Sequence, residues 1–89
     1  MAVYVDPLYH HGGSKNFPWT HSCHMYADTL DELHAMASKI GMRQSWFQDN
    51  PKLPHYDLVG ERRKKAVTLG AVEVSFREMV KFMRNRRAE

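Results

Sequence analysis

A single cysteine, Cys23, among 89 residues excludes an internal disulfide and any zinc knuckle built on paired cysteines. Stability therefore has to come from packing, from a metal or from self-association. No apolar run approaches the roughly 20 residues that cross a bilayer, and the start MAVYVDPLYHH lacks the basic-then-apolar order of a signal peptide. A cytoplasmic setting without a membrane partner is expected. Glycine-rich phosphate loops, zinc ribbons and nucleophile elbows are absent, so no motif announces a reaction. The chain is too short for a second core, and one domain over residues 1–89 is expected.

What is present is enough for one compact core: 43% hydrophobic residues, with four Phe, four Tyr and two Trp. Charge is uneven. Three Lys or Arg face four Asp or Glu in residues 1–45, against ten and six in residues 46–89. The basic half suits an anionic partner, although a run such as Arg62, Arg63, Lys64 and Lys65 is also what a solvated helix face looks like.

The apolar run at residues 2–5 predicts a central strand that ends at Asp6-Pro7, where proline forbids ladder pairing. Residues 7–28 show neither helical nor strand period and are punctuated by Pro7, Gly12, Gly13 and Pro18, which predicts a long functional loop carrying His10 and His11. Thr29 with Glu32 is a capping box opening a helix whose stripe is Leu30, Leu33, Ala37 and Ile40, stopped by Gly41. SWFQ within residues 43–48 fits a second strand. A helix over 58–69 follows, capped by Asp57 and ended by Gly70, then a third strand over 71–74. Ser75 with Glu78 opens a last helix with the stripe Phe76, Met79, Val80 and Met83, before a fraying basic tail at 84–89. The alternation predicts an α/β fold: a three-stranded parallel sheet in the order 2-1-3 with helices on both faces. Ligands of such sheets bind beyond the carboxyl ends of the strands. Asp6, Ser75, His24 and Asp28 would rim that crevice.

VYVD, HMYADTLDELH, WFQ, HYD and ERRKKAVTLGA, in this order and spacing, resemble domain of unknown function 4031, a small domain of bacteria and their phages. The resemblance covers most of the chain, while residues 8–18 look individual to this protein. It implies a self-standing domain in a bacterial or phage cytosol, and carries over no activity and no catalytic residues.

Chemistry concentrates between Trp19 and His34. His24 and Asp28, helped by Asp6, His55 or Asp57, form a donor set for zinc, manganese or magnesium; the structural alternative is that Asp28 caps the helix start and His24 packs on a backbone partner. Arg62 projects from the buried face of its helix and would grip phosphate from there, or else serve a structural ion pair. Cys23 beside His24 reads as a small buried thiol rather than a nucleophile, because catalytic partners come from distant sequence. The function expected is binding of a phosphorylated, nucleotide-like small molecule, with metal-assisted hydrolysis as the natural chemistry: Asp6, His55 and Asp57 acting on water, Arg62 and Ser75 on the ligand, His24 and Asp28 on the metal. The rival is a non-catalytic module binding nucleic acid, by stacking on Trp46, Phe47 and Tyr56, or a protein partner through its basic helices. An open sheet edge and a small core favour a homodimer.

Overall fold

The computed structural model describes residues 2–10 and 21–86. Val3–Val5 is strand β1, as the β-branched VYV run requires, with Val3 and Val5 on one face and Tyr4 on the other. Tyr9–His10 (β2) continues it, and His21–Ala27 (β3) returns antiparallel to both. Leu30–Lys39 is helix α1, with the Thr29 hydroxyl accepting from the Glu32 amide as its capping box predicts. Tyr56–Leu58 (β4), helix α2 (Gly60–Thr68), Val72–Glu73 (β5) and helix α3 (Phe76–Asn85) complete the order. Gly41 and Gly70, at φ 82° and 107°, end α1 and α2 in the left-handed conformation that only glycine adopts without strain.

The fold is a small α/β layer structure, but the sheet is mixed rather than parallel. β4 pairs antiparallel with β3, β3 antiparallel with β1, and β5 parallel with β1. Three expectations are corrected here. Residues 21–27 are a strand and not loop: Cys23 and Met25 face one side and His24 and Tyr26 the other, an alternation hidden because both sides are largely buried and one of them carries histidine. SWFQ is no strand; Gln44–Trp46 is an exposed 3-10 turn, because only Gln48 finds a ladder partner, His55. Asp57 does not cap α2 but lies within β4, and Val59 precedes the helix without a side-chain cap. The expected loop residues His11, Gly12, Gly13 and Pro18 lie outside the described residues, as do 87–89 of the tail, whereas Arg84 and Asn85 are helical.

Two apolar layers hold the sheet. Leu33, Met36 and Ala37 of α1 and Ala66 of α2 pack on Val3, Val5, Cys23, Met25 and Leu58. On the opposite face Met79, Phe82 and Met83 of α3 pack on Tyr4 and Tyr26. Helices therefore cover both faces, as expected.

The pairing registers place Pro7 and Leu8 together opposite Cys23 alone, since Asp6 N–H donates to the His24 carbonyl while Tyr9 pairs with Ser22. Pro7 has no N–H to give the ladder, so a β-bulge forms there. One extra residue reverses the alternation, and Tyr9 consequently joins Tyr4 and Asp6 on the α3 face.

Cys23 is 1% exposed, and burial pushes its thiol up to about 12, with Asp6 adding to the shift and Arg63 opposing it. Because the thiolate is the reacting species, iodoacetamide at pH 8 is expected to leave the native protein unmodified and to alkylate it readily in denaturant; rapid native alkylation would contradict this burial.

Candidate metal centre

Asp6, at the end of β1, is fully buried, and its carboxylate is occupied on both oxygens by one residue of the neighbouring strand. Oδ1 accepts the backbone N–H of His24 at 2.6 Å and Oδ2 the ring Nδ1–H at 2.8 Å. This fixes the tautomer of His24 and leaves Nε2 with the lone pair. His24 lies directly opposite Asp57 in the β3–β4 ladder, and His55, two residues earlier on the same chain, falls on the same face. His55 Nδ1 donates to the carbonyl of Leu53 at 2.6 Å, and its Nε2 stands 3.4 Å from Asp57 Oδ1. Nε2 donates to that oxygen when the ring is an imidazolium and carries the lone pair beside it when the ring is neutral. The other carboxylate oxygen of Asp57 accepts from the Gln48 side-chain amide. The His24 and His55 rings cross at 4.9 Å between centroids. One donor atom from each of His24, His55 and Asp57 lies within 4.8 Å of the others.

Two imidazoles and a carboxylate, each steered by a partner outside the set, is the form in which proteins present ligands to a transition metal. The 3.4 Å spacing of His55 and Asp57 matches the edge of a tetrahedron with bonds of about 2.1 Å.

The charges of the pair are mutually supporting. Burial pulls the His55 imidazolium down, but the hydrogen bonds with Asp57 and the Leu53 carbonyl and the charges of Asp57 and Asp6 outweigh it, so it titrates above 6.5. Burial pushes the Asp57 carboxyl up, and the hydrogen bond and charge of His55, the charge of His24 and the Gln48 amide reverse this, holding it below 3.8. The stabilisation from His55 is complete below 6.5 and is lost as pH rises through its raised folded value; that from Asp57 is complete above 3.8 and is lost as pH falls through its lowered one. In chelator, the melting-temperature difference between wild type and Asp57→Asn is expected to be greatest between these values and to shrink above neutrality. A difference that stays constant from pH 5 to 9 would contradict the pairing.

Of the residues expected at the site, Asp6, His24, His55 and Asp57 come together. Asp28 does not join them. It sits at the opposite end of β1, where its carboxylate accepts from the Ala2 N–H at 2.7 Å and the Tyr4 hydroxyl at 2.9 Å. Ser75 caps α3 in a complete capping box with Glu78. Arg62 points away, to the end of α1, where it donates to the carbonyls of Ile40 and Gly41 at 3.3 and 3.5 Å and lies over the Trp46 ring. Those carbonyls have no partner within α1, so Arg62→Ala is expected to cost about 1 kcal/mol, or roughly 4–8 °C in melting temperature for a domain of this size; an unchanged melting curve would refute a structural role. Tyr56 is fully buried and Phe47 packs against it, which leaves Trp46 alone of the three aromatics expected to stack on bases.

Sequence reading also passed over two participants. Arg63 donates to the Asp6 carbonyl and to Glu73, both at 2.9 Å, tying α2 to the ends of β1 and β5. Tyr9 reaches the site only through the bulge, its ring centred 6.3 Å from that of His24. Neither has a local signal in the sequence beyond the Pro7 that forces the bulge.

A family sequence model described as "Protein of unknown function (DUF4031)" matches residues 3–86. The chain belongs to this family. The match takes in all four residues that converge at the site. No match to the chain was found among curated proteins or among solved structures.

Proposed function

We propose that His24, His55 and Asp57 hold one divalent transition metal, zinc or manganese by the chemistry of the donors, and that this centre hydrolyses the phosphate ester of a nucleotide-like molecule. The observation that carries the reading is the state of the two imidazoles: each has its Nδ1 committed, to Asp6 and to Leu53, so that each offers Nε2 beside a carboxylate. Three protein ligands leave coordination positions for water and substrate. A metal held by these residues would supply a water of lowered pKa and a Lewis acid for a phosphoryl oxygen. Within the chain, Asp6 orients the His24 ring and Gln48 holds the Asp57 carboxylate in place.

Protein purified without a histidine tag and stripped with chelator tests this. Calorimetric titration with zinc or manganese should give one site per chain, and the loaded protein should release nitrophenol from bis-nitrophenyl phosphate faster than the stripped form. Absence of a stoichiometric metal would overturn the proposal.

A further inference from the structure

α3 turns its apolar side to the sheet, and its outer side forms a groove lined by Phe76, Arg77, Val80, Lys81 and Arg84. Three of these five are cations and none is acidic. Phe76 and Val80 are 43% and 37% exposed, although both belong to the stripe expected to be buried. Glu78, the acid of the same helix, has its carboxylate turned back on the Ser75 amide in the capping box. Arg77, Lys81 and Arg84 thus follow one another on one face, about 6 and 4.5 Å apart along the axis.

A row of rings runs from the groove to the candidate metal centre. Phe76 meets Tyr9 at 5.9 Å in an edge-to-face contact, Tyr9 lies 6.3 Å from His24, and His24 lies 4.9 Å from His55. Tyr9 is 39% exposed. Aromatic faces beside a line of cations are what a single-stranded nucleic acid requires: stacking for bases and positive charge for the backbone, without a code for sequence.

We propose that the α3 groove binds single-stranded nucleic acid, with phosphates along Arg77, Lys81 and Arg84 and a base against Phe76 and Tyr9, so that the strand leads to His24. Naming the strand as substrate rests on the metal-centre reading above; the binding itself does not. An anionic membrane would meet the same cations, but two exposed apolar side chains offer little to insert. A second copy of this chain would set like charges against each other.

The test is fluorescence anisotropy of a labelled 12-nucleotide single strand, in chelator so that no metal contributes. Wild type should bind, with a log–log salt slope near about −2 for three phosphate contacts. Arg77→Ala/Lys81→Ala/Arg84→Ala should flatten that slope and weaken binding at least about tenfold, whereas Phe76→Ala should weaken it by about tenfold at an unchanged slope. All four positions are exposed, and a circular-dichroism melt checks each variant for folding; Arg77→Lys/Arg84→Lys should keep the wild-type slope. No binding by wild type, equal binding by the variants, preferential binding of phosphatidylserine vesicles, or a dimer closed over α3 in sedimentation would each overturn the inference. A parallel zinc titration separates the two readings. Strand binding without zinc binding removes the hydrolytic centre and leaves the groove, and the reverse outcome removes the groove alone.

Discussion

His55→Ala is expected to lower zinc affinity by more than about a hundredfold, because loss of an orienting partner alone costs about 10- to 100-fold and here a proposed ligand is removed. The effect is large enough to read thermally. A metal present at 100 times its Kd stabilises the folded state by about 2.7 kcal/mol, and each kcal/mol raises the melting temperature of a domain this small by about 4–8 °C. Wild type should therefore gain more than about 10 °C on adding zinc, and His55→Ala and Asp57→Asn almost nothing. His34→Ala is the control. His34 pairs with the Tyr56 hydroxyl at 2.7 Å and with Phe47 on the other side of the sheet, so its loss should leave the zinc shift intact. A zinc shift in His55→Ala equal to that of wild type would show that the ion binds elsewhere.

Asp6→Asn is expected to give the greatest loss of stability among the conservative changes at this site, about 3 kcal/mol, which corresponds to a fall of about 12–24 °C in melting temperature. Asp6 is fully buried and both its oxygens accept, one from a backbone N–H and one from an imidazole N–H. An asparagine in the same pose must point its NH2 at one of those donors. Either the ladder at His24 loses its support or the imidazole flips to its other tautomer, and the second outcome turns a protonated Nε2 toward the proposed metal site. The variant should accordingly melt early and, where still folded in the cold, bind zinc about 10- to 100-fold more weakly. Wild-type zinc affinity in a destabilised Asp6→Asn would make Asp6 a residue of the scaffold only.

The contrast between Arg62 and Arg63 shows where sequence reasoning stops. Both lie in one basic run on α2, and their neighbours in the chain do not distinguish them. Helical spacing put Arg62 on the inner side correctly, yet its target, the end of α1, is 21 and 22 residues away. Arg63 finds Asp6 at a separation of 57 residues. Side chains this long choose among distant acceptors, and only the packed arrangement of helices decides which is in reach.

Local chemistry was sufficient for the helices. Capping hydroxyls at Thr29 and Ser75 and glycines at 41 and 70 mark ends that depend on a few adjacent residues, and the family could be read from motifs in order. Alongside Asp28, Arg62 and Ser75, which the fold places elsewhere, the sequence also marked Asp6, His24, His55 and Asp57 as candidate site residues. It did not determine their association. Strand pairing is non-local, and the β3–β4 ladder that sets His24 opposite Asp57 joins segments 33 residues apart; neither direction nor register is encoded by either segment alone. A strand buried on both faces shows no clean alternation, which is why 21–27 resembled a loop. The bulge at Pro7, by reversing one alternation, then brought Tyr9 to the histidines, a consequence that exists only once β1, β2 and β3 have paired.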